Sequence, residues 1–344
     1  MGAAGNGPDA PVEGDGARRT GIRDRLWYVL KLSRPRFWLY LAGPVVVGVA
    51  YGASSTAELF SVRSVALFAY FLLPANVYLY GINDVFDADV DVENPKKEGR
   101  EVRYRGERFV PLTVLVAGAG ILALVPLVPP VALAWLAAYV VLATEYSAPP
   151  LRFKTTPFLD SASNGLYVLP GVAAYAAVAG ETPPALAVLG GWLWTMAMHT
   201  FSAIPDIEPD REAGIRTTAT VLGEARTYAY CGVAWALAAV AFAAIDPRLG
   251  APLAVYPLLL AGIALSDVPV ERAYWWYPAV NTVVGAALTM GALWVMVHGQ
   301  LPGPLAATVV DPGPLAADLA VHARPHAVDP PALPAGEPVV TGRG

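Results

Sequence analysis

Cysteine, lysine and charge are all scarce in this chain. One cysteine among 344 residues, Cys231, excludes an intrachain disulfide. Lysine occurs only at Lys31, Lys96, Lys97 and Lys154. No glycine-rich phosphate loop, Ser/His/Asp arrangement or zinc-ligand spacing stands out. The basic residues are divided among several loops with no nucleic-acid module around them, so no nucleic-acid partner is expected. No apolar core precedes Leu26, so no cleaved targeting segment is expected either. Charged residues make up 15% of the chain and hydrophobic ones 56%, with a mean hydropathy of +0.47. A soluble domain carries roughly a quarter charged residues, so this composition belongs to a polytopic membrane protein. The net charge is −5. An acidic, lysine-poor chain fits a salt-adapted source, and a GC-rich genome fits it as well.

Long apolar runs supply the architecture. A spanning helix needs roughly 20 mostly apolar residues. Nine runs meet that need, at about 36–53, 63–84, 110–128, 130–146, 161–180, 184–205, 226–245, 250–267 and 274–298. The fold class is therefore all-α, and Pro129-Pro130 marks a tight turn between the third and fourth spans. Residues 1–25 read as a disordered polar N-terminus, 26–298 as the membrane domain, and 299–344 as a disordered Pro/Ala-rich tail. Across the boundary between the first two, Ile22–Leu32 suits a short amphipathic helix lying on the membrane, with Trp27 and Tyr28 at the interface.

With nine spans, nineteen of the 23 lysines and arginines fall on one side. Only Arg63, Arg248, Arg324 and Arg343 fall on the other. Basic loops stay in the cytoplasm, so the N-terminus is expected inside and the C-terminus outside. A faint internal repeat suggests two similar halves, because the second and sixth spans both end in an acidic motif followed by a basic loop.

The first of those motifs is Asn83-Asp84-Val85-Phe86-Asp87-Ala88-Asp89-Val90-Asp91, and the second is Asp206-Ile207-Glu208-Pro209-Asp210. Helical spacing puts Asn83, Asp87 and Asp91 on one face, and likewise Asp206 with Asp210. Like charges on one stripe repel unless a cation lies between them. Magnesium takes oxygen ligands from one or two carboxylates together with substrate phosphates. The two motifs are therefore expected to converge on the cytoplasmic side and hold Mg²⁺ against a diphosphate. A calcium loop fails because the position needing glycine for its sharp turn is Val92. A solvated acidic helix end is the plainer alternative for one motif alone.

Basic residues near the motifs are the second constellation. For most, retention in cytoplasmic loops and attraction to anionic lipid is sufficient explanation. Arg34, Arg152, Lys154, Arg211 and Arg216 lie close to helix ends in the layer of the carboxylates and are candidates for phosphate contact. Asn76 lies two turns before Asn83 on the same face, and His199 lies seven residues before Asp206. For His199 a satisfied interhelical hydrogen bond outweighs a catalytic base. Tyr and Trp residues such as Tyr80, Tyr167 and Trp194 could shield a carbocation, although interface belts and packing explain most of them.

These residues resemble a known family. Asn83-Asp84-x-x-Asp87-x-x-x-Asp91 and Asp206-x-x-x-Asp210-x-x-x-Gly214 look like the paired motifs of the UbiA superfamily of intramembrane prenyltransferases, over roughly residues 30–298. The resemblance implies a nine-helix bundle around a central cavity that opens to lipid. It implies Mg²⁺-dependent prenyl transfer from an allylic diphosphate, with Asn83, Asp87, Asp91, Asp206 and Asp210 holding the metal and Asp84 nearby. Tyr146 to Lys154 resembles the family's tyrosine–lysine loop at altered spacing, which adds Tyr146 and Asn76 to the diphosphate candidates.

Asn94-Pro95-Lys96-Lys97-Glu98-Gly99-Arg100-Glu101 departs from the family's usual loop. Together with Ile215-Arg216-Thr217-Thr218-Ala219-Thr220 it looks like the lycopene elongases of haloarchaea and actinobacteria. That resemblance implies dimethylallyl diphosphate as donor and lycopene as acceptor, on the way to C50 carotenoids. The competing readings are a prenyltransferase acting on a quinone precursor or an archaeal ether lipid, and a secondary transporter. Transporter sites lie near mid-membrane, whereas these acids lie at a helix edge.

Overall fold

The computed structural model describes residues 21–88, 104, 106–266 and 268–299. The expected polar N-terminus up to Thr20, the residues from Asp89 to Arg103 and the tail beyond Gly299 lie outside them. Among the described residues the secondary structure is helical throughout, with no strand.

The helices in chain order are α1 Ile22–Leu32, α2 Trp38–Gly52, α3 Thr56–Leu59, α4 Val62–Leu72 and α5 Pro74–Phe86. Helix α6, Phe109–Ala119, runs on into a 3₁₀ segment to Leu127, and α7 is Pro130–Ser147. Helices α8, Leu159–Ala162, and α9, Leu169–Ala179, are joined by a 3₁₀ turn. Then come α10 Ala185–Ser202, α11 Ile207–Glu212, α12 Thr218–Leu222, α13 Glu224–Ile245, α14 Pro247–Leu253, α15 Val255–Ala264 and α16 Val270–His298.

Seven segments among these are long and apolar enough to cross a membrane, several of them assembled from two or three consecutive helical pieces. Two expected spans fall short of that standard. Helix α2 has 15 residues, about 22 Å of helix against a hydrocarbon layer of about 30 Å. Helix α10 has 18 residues but carries Thr195, His199, Thr200 and Ser202 among its apolar ones.

Proline explains where a span breaks. Pro74 opens α5 and cannot donate the hydrogen bond that would continue α4. The carbonyls of Phe71 and Leu72 are left without helical partners, and the Asn76 amide nitrogen donates to both, at 2.9 and 3.0 Å. Asn76 is fully buried there.

Two main cores form. One gathers Leu41, Val45, Leu67, Phe71, Tyr139 and Leu169 from α2, α4, α7 and α9. The other stacks Phe201, Trp235, Tyr256 and Tyr277 from α10, α13, α15 and α16. Glycine lets two helix backbones meet. A Cβ on Gly48 of α2 would fall 2.1 Å from the carbonyl oxygen of Gly171 in α9, so the two backbones touch. The C-terminal end of α5 and the loop after α7 also meet, through Asp87 and the side chains of Arg152 and Lys154.

Candidate active site

The first acidic motif occupies the last turn of α5 and its cap. The helix ends at Phe86 and Asp87 is its C-cap. Asp84, 2% exposed, takes a hydrogen bond from Arg34 at 3.1 Å. One turn later, Asp87 is held by Arg152 at 2.9 Å and by Lys154. Arg152 also donates to the carbonyl of Phe86, at 3.2 Å. The amide of Asn83 donates to Ser147 at 3.2 Å. The loops before α2 and after α7 thus deliver their cations to successive carboxylates on α5.

Both arginines are presented in the same unusual way. Arg34 (φ 49°) and Arg152 (φ 43°) lie in the left-handed region, each opening a 3₁₀ turn. A side chain there costs on the order of 1–3 kcal/mol and persists where its surroundings hold it. The carboxylates on α5 are what hold these two.

The second motif starts at the end of a 3₁₀ turn, Ile204–Asp206, and continues in α11. Asp206, Glu208 and Asp210 all fall at the start of α11, where the helix dipole favours negative charge. Arg211 turns back, donating to Glu208 at 2.6 Å and to the Thr220 carbonyl at 3.1 Å. Arg216 is exposed in the following loop. The Tyr274 hydroxyl of α16 lies within electrostatic range of Arg34, Arg36 and Asp206.

Above the first motif lies a cavity of about 150 Å³. Arg34 and Asn83, which also belong to the first motif's neighbourhood, line it. Its walls are Leu79 and Leu166 with the rings of Tyr80, Tyr146 and Tyr167, and Asn164 and His199 complete the lining. The Tyr146 hydroxyl lies near Asn164, and the Tyr80 and Tyr167 hydroxyls lie near one another. The Arg34 guanidinium also lies over the Tyr80 ring, 4.7 Å from its centre.

Of the candidates read from the sequence, the structure gathers Asn83, Asp84, Asp87, Arg34, Arg152, Lys154 and Tyr146 around the end of α5 and this cavity. No described contact joins Asp206, the N-cap of α11, or Asp210, in its first turn, to this group. Asn76 is not part of it: its amide nitrogen repairs the α4–α5 break. Arg211 serves α11 and α12, and Arg216 has no described contact with the group. Asp91 lies outside the described residues. Among the described residues no three Asp, Glu, His or Cys side chains form a ready metal cluster. The donors that do gather are hard oxygens of the kind magnesium takes. Two of those carboxylates are already paired with cations, so the chemistry of the donor set fits a dication shared with an anionic ligand.

Sequence reasoning missed Asp160. It is 2% exposed and accepts hydrogen bonds from the Thr218 amide, at 2.9 Å, and from the Thr218 hydroxyl. That hydroxyl in turn accepts from the Phe158 amide at 2.7 Å. The network bolts the loop after the second motif to the segment carrying Arg152 and Lys154. The signal was present, because a single carboxylate at the margin of an apolar run marks a functional position.

Apolar broken helices around an aromatic cavity, with ion-paired acids at one edge, define a multi-pass membrane protein with an acidic site at the end of a helix. The model of the UbiA prenyltransferase family matches residues 41–268. The chain belongs to that family. It is 68% identical over 287 residues to the lycopene elongase/hydratase of Haloferax volcanii, covering 83% of this chain and 95% of the relative. It is 65% identical to the lycopene elongase/hydratase of Halobacterium salinarum, over 79% of this chain and 99% of that one. Among solved structures, a UbiA homologue from Archaeoglobus fulgidus bound to GPP and Mg²⁺ has the same fold, with a TM-score of 0.63 at 20% identity over 77% of this chain and 99% of that one.

Proposed function

We propose that this prenyltransferase moves a dimethylallyl group from its diphosphate to a terminal double bond of lycopene, and that water completes the product. The observation that carries the reading is the cavity itself, lined by a guanidinium, amides and three tyrosine rings beside the first acidic motif. The haloarchaeal relatives are named for both elongation and hydration of lycopene, and we carry both to this chain.

Arg34, Arg152 and Lys154 bind the diphosphate and draw electron density into it as the allylic C–O bond breaks, in a site where fixed charges act strongly. Asn83, Asp87, Asp206 and Asp210, with Asp91 of the first motif, would hold Mg²⁺, and Asp84 stays with Arg34. Bound Mg²⁺ would supply further positive charge to the leaving group. The rings of Tyr80, Tyr146 and Tyr167 face the resulting cation and stabilise its charge. Lycopene's terminal double bond attacks, leaving a tertiary cation on the carotenoid. The acceptor is longer than the membrane is thick, so the cavity opens sideways to lipid. In this reading α2 and α10 also cross the membrane, giving nine spans. The N-terminus and the acidic motifs face the cytoplasm.

Expression in a lycopene-producing host tests the assignment. The expected result is a new carotenoid heavier by one or two C5 units. Asp210→Ala should abolish it while the protein remains folded. No mass change with the unsubstituted protein would overturn the donor–acceptor assignment, and retained activity in Asp210→Ala would overturn the metal role.

A further inference from the structure

Attack by lycopene leaves a tertiary cation, and adding water to it releases a proton that some group must accept. Of the nine residues lining the cavity, only His199 has a side chain that is a neutral base near pH 7. Arg34 keeps its proton, and the amides of Asn83 and Asn164 are not bases. The hydroxyls of Tyr80, Tyr146 and Tyr167 are neutral phenols near pH 7 and poor proton acceptors. The His199 ring stands edge-on to Tyr146, with centroids 6.0 Å apart. Its nitrogens take no hydrogen bond from any described residue, so they remain available to a water in the cavity. The buried carboxylate of Asp160 lies within electrostatic range of the ring and is oriented by Thr218, so it stabilises positive charge formed on the imidazole.

We infer that His199 is the base that completes the reaction. It accepts a proton from the water whose oxygen bonds to the tertiary carotenoid cation. The step balances: a C–O bond forms, an O–H bond breaks, and the proton rests on the imidazole before leaving for solvent. No electrons are gained or lost. The inference rests on the prenyl-transfer reading of the same cavity and assigns the step which that reading leaves without a residue.

The test is His199→Gln and, independently, His199→Asn, expressed in lycopene-producing cells. Carotenoids are resolved by chromatography and mass, and the readout is the share of elongated carotenoid that carries a hydroxyl. Both amides can hold water and neither can take its proton, so that share should fall at least about tenfold. Total yield does not enter the measure, and either variant recovered monodisperse in detergent suffices. An unchanged hydroxylated share in a folded variant would overturn the inference. So would a folded variant making no elongated carotenoid, because proton removal follows carbon–carbon bond formation. Failure of the unsubstituted protein to elongate lycopene would instead count against the reaction proposed above.

Discussion

Arg152 shows how much one residue can carry. Its backbone lies in the left-handed region, its guanidinium binds Asp87, and it donates to the carbonyl of Phe86. Glycine adopts that backbone without strain. Arg152→Gly therefore removes the cation while leaving the loop comfortable, which separates charge from shape. A hydrogen bond to a charged group contributes about 1.5–3 kcal/mol, so KM for the allylic diphosphate should rise about ten- to hundredfold. The thermal midpoint should not fall. A large drop in that midpoint with unchanged KM would show that the arginine serves the loop rather than the substrate. Asn76 gives the opposite lesson. Its spacing from Asn83 is right for one helical face, but Pro74 freed two carbonyls beside it and its amide went there.

Helices α2 and α9 meet backbone to backbone, and this contact decides whether the first core closes. A side chain on Gly48 would overlap the Gly171 carbonyl, and overpacking of this kind costs about 1–3 kcal/mol where neighbours can yield. Backbone yields little, so Gly48→Val should give no monodisperse protein. Gly43 is the control on the same helix. No atom lies within 4 Å of its would-be Cβ, and Gly43→Ala should be recovered at least as well as the unsubstituted chain. Size-exclusion profiles in detergent check both. Element breaks follow the same logic of local chemistry: the apolar run at 63–84 reads as one span, and the structure divides it at Pro74.

At the scale of the whole chain, charge asymmetry and burial combine into a test of orientation. Cys231 is fully buried, so the native thiol is silent toward an impermeant maleimide. With the N-terminus inside, Ser55→Cys should label on intact cells and Thr156→Cys only after permeabilisation. The reverse pattern would overturn the orientation. Matches to relatives from haloarchaea also favour salt adaptation over codon bias as the origin of the acidic, lysine-poor composition.

Composition and periodicity alone determined the membrane class, the helical content and the two acidic motifs, because apolar runs and clustered carboxylates are local properties of the chain. Arg34 and Arg152 could be nominated from the same local pattern, as cations near helix ends. Their assignment to Asp84 and Asp87 could not, since each pair joins residues at least fifty positions apart. The cavity, the exposure of His199 to it and the bolt from Asp160 to Thr218 were decided only by tertiary structure. They depend on where helices break and how closely glycines let them approach, and those distances arise from packing between segments rather than from any single stretch of sequence.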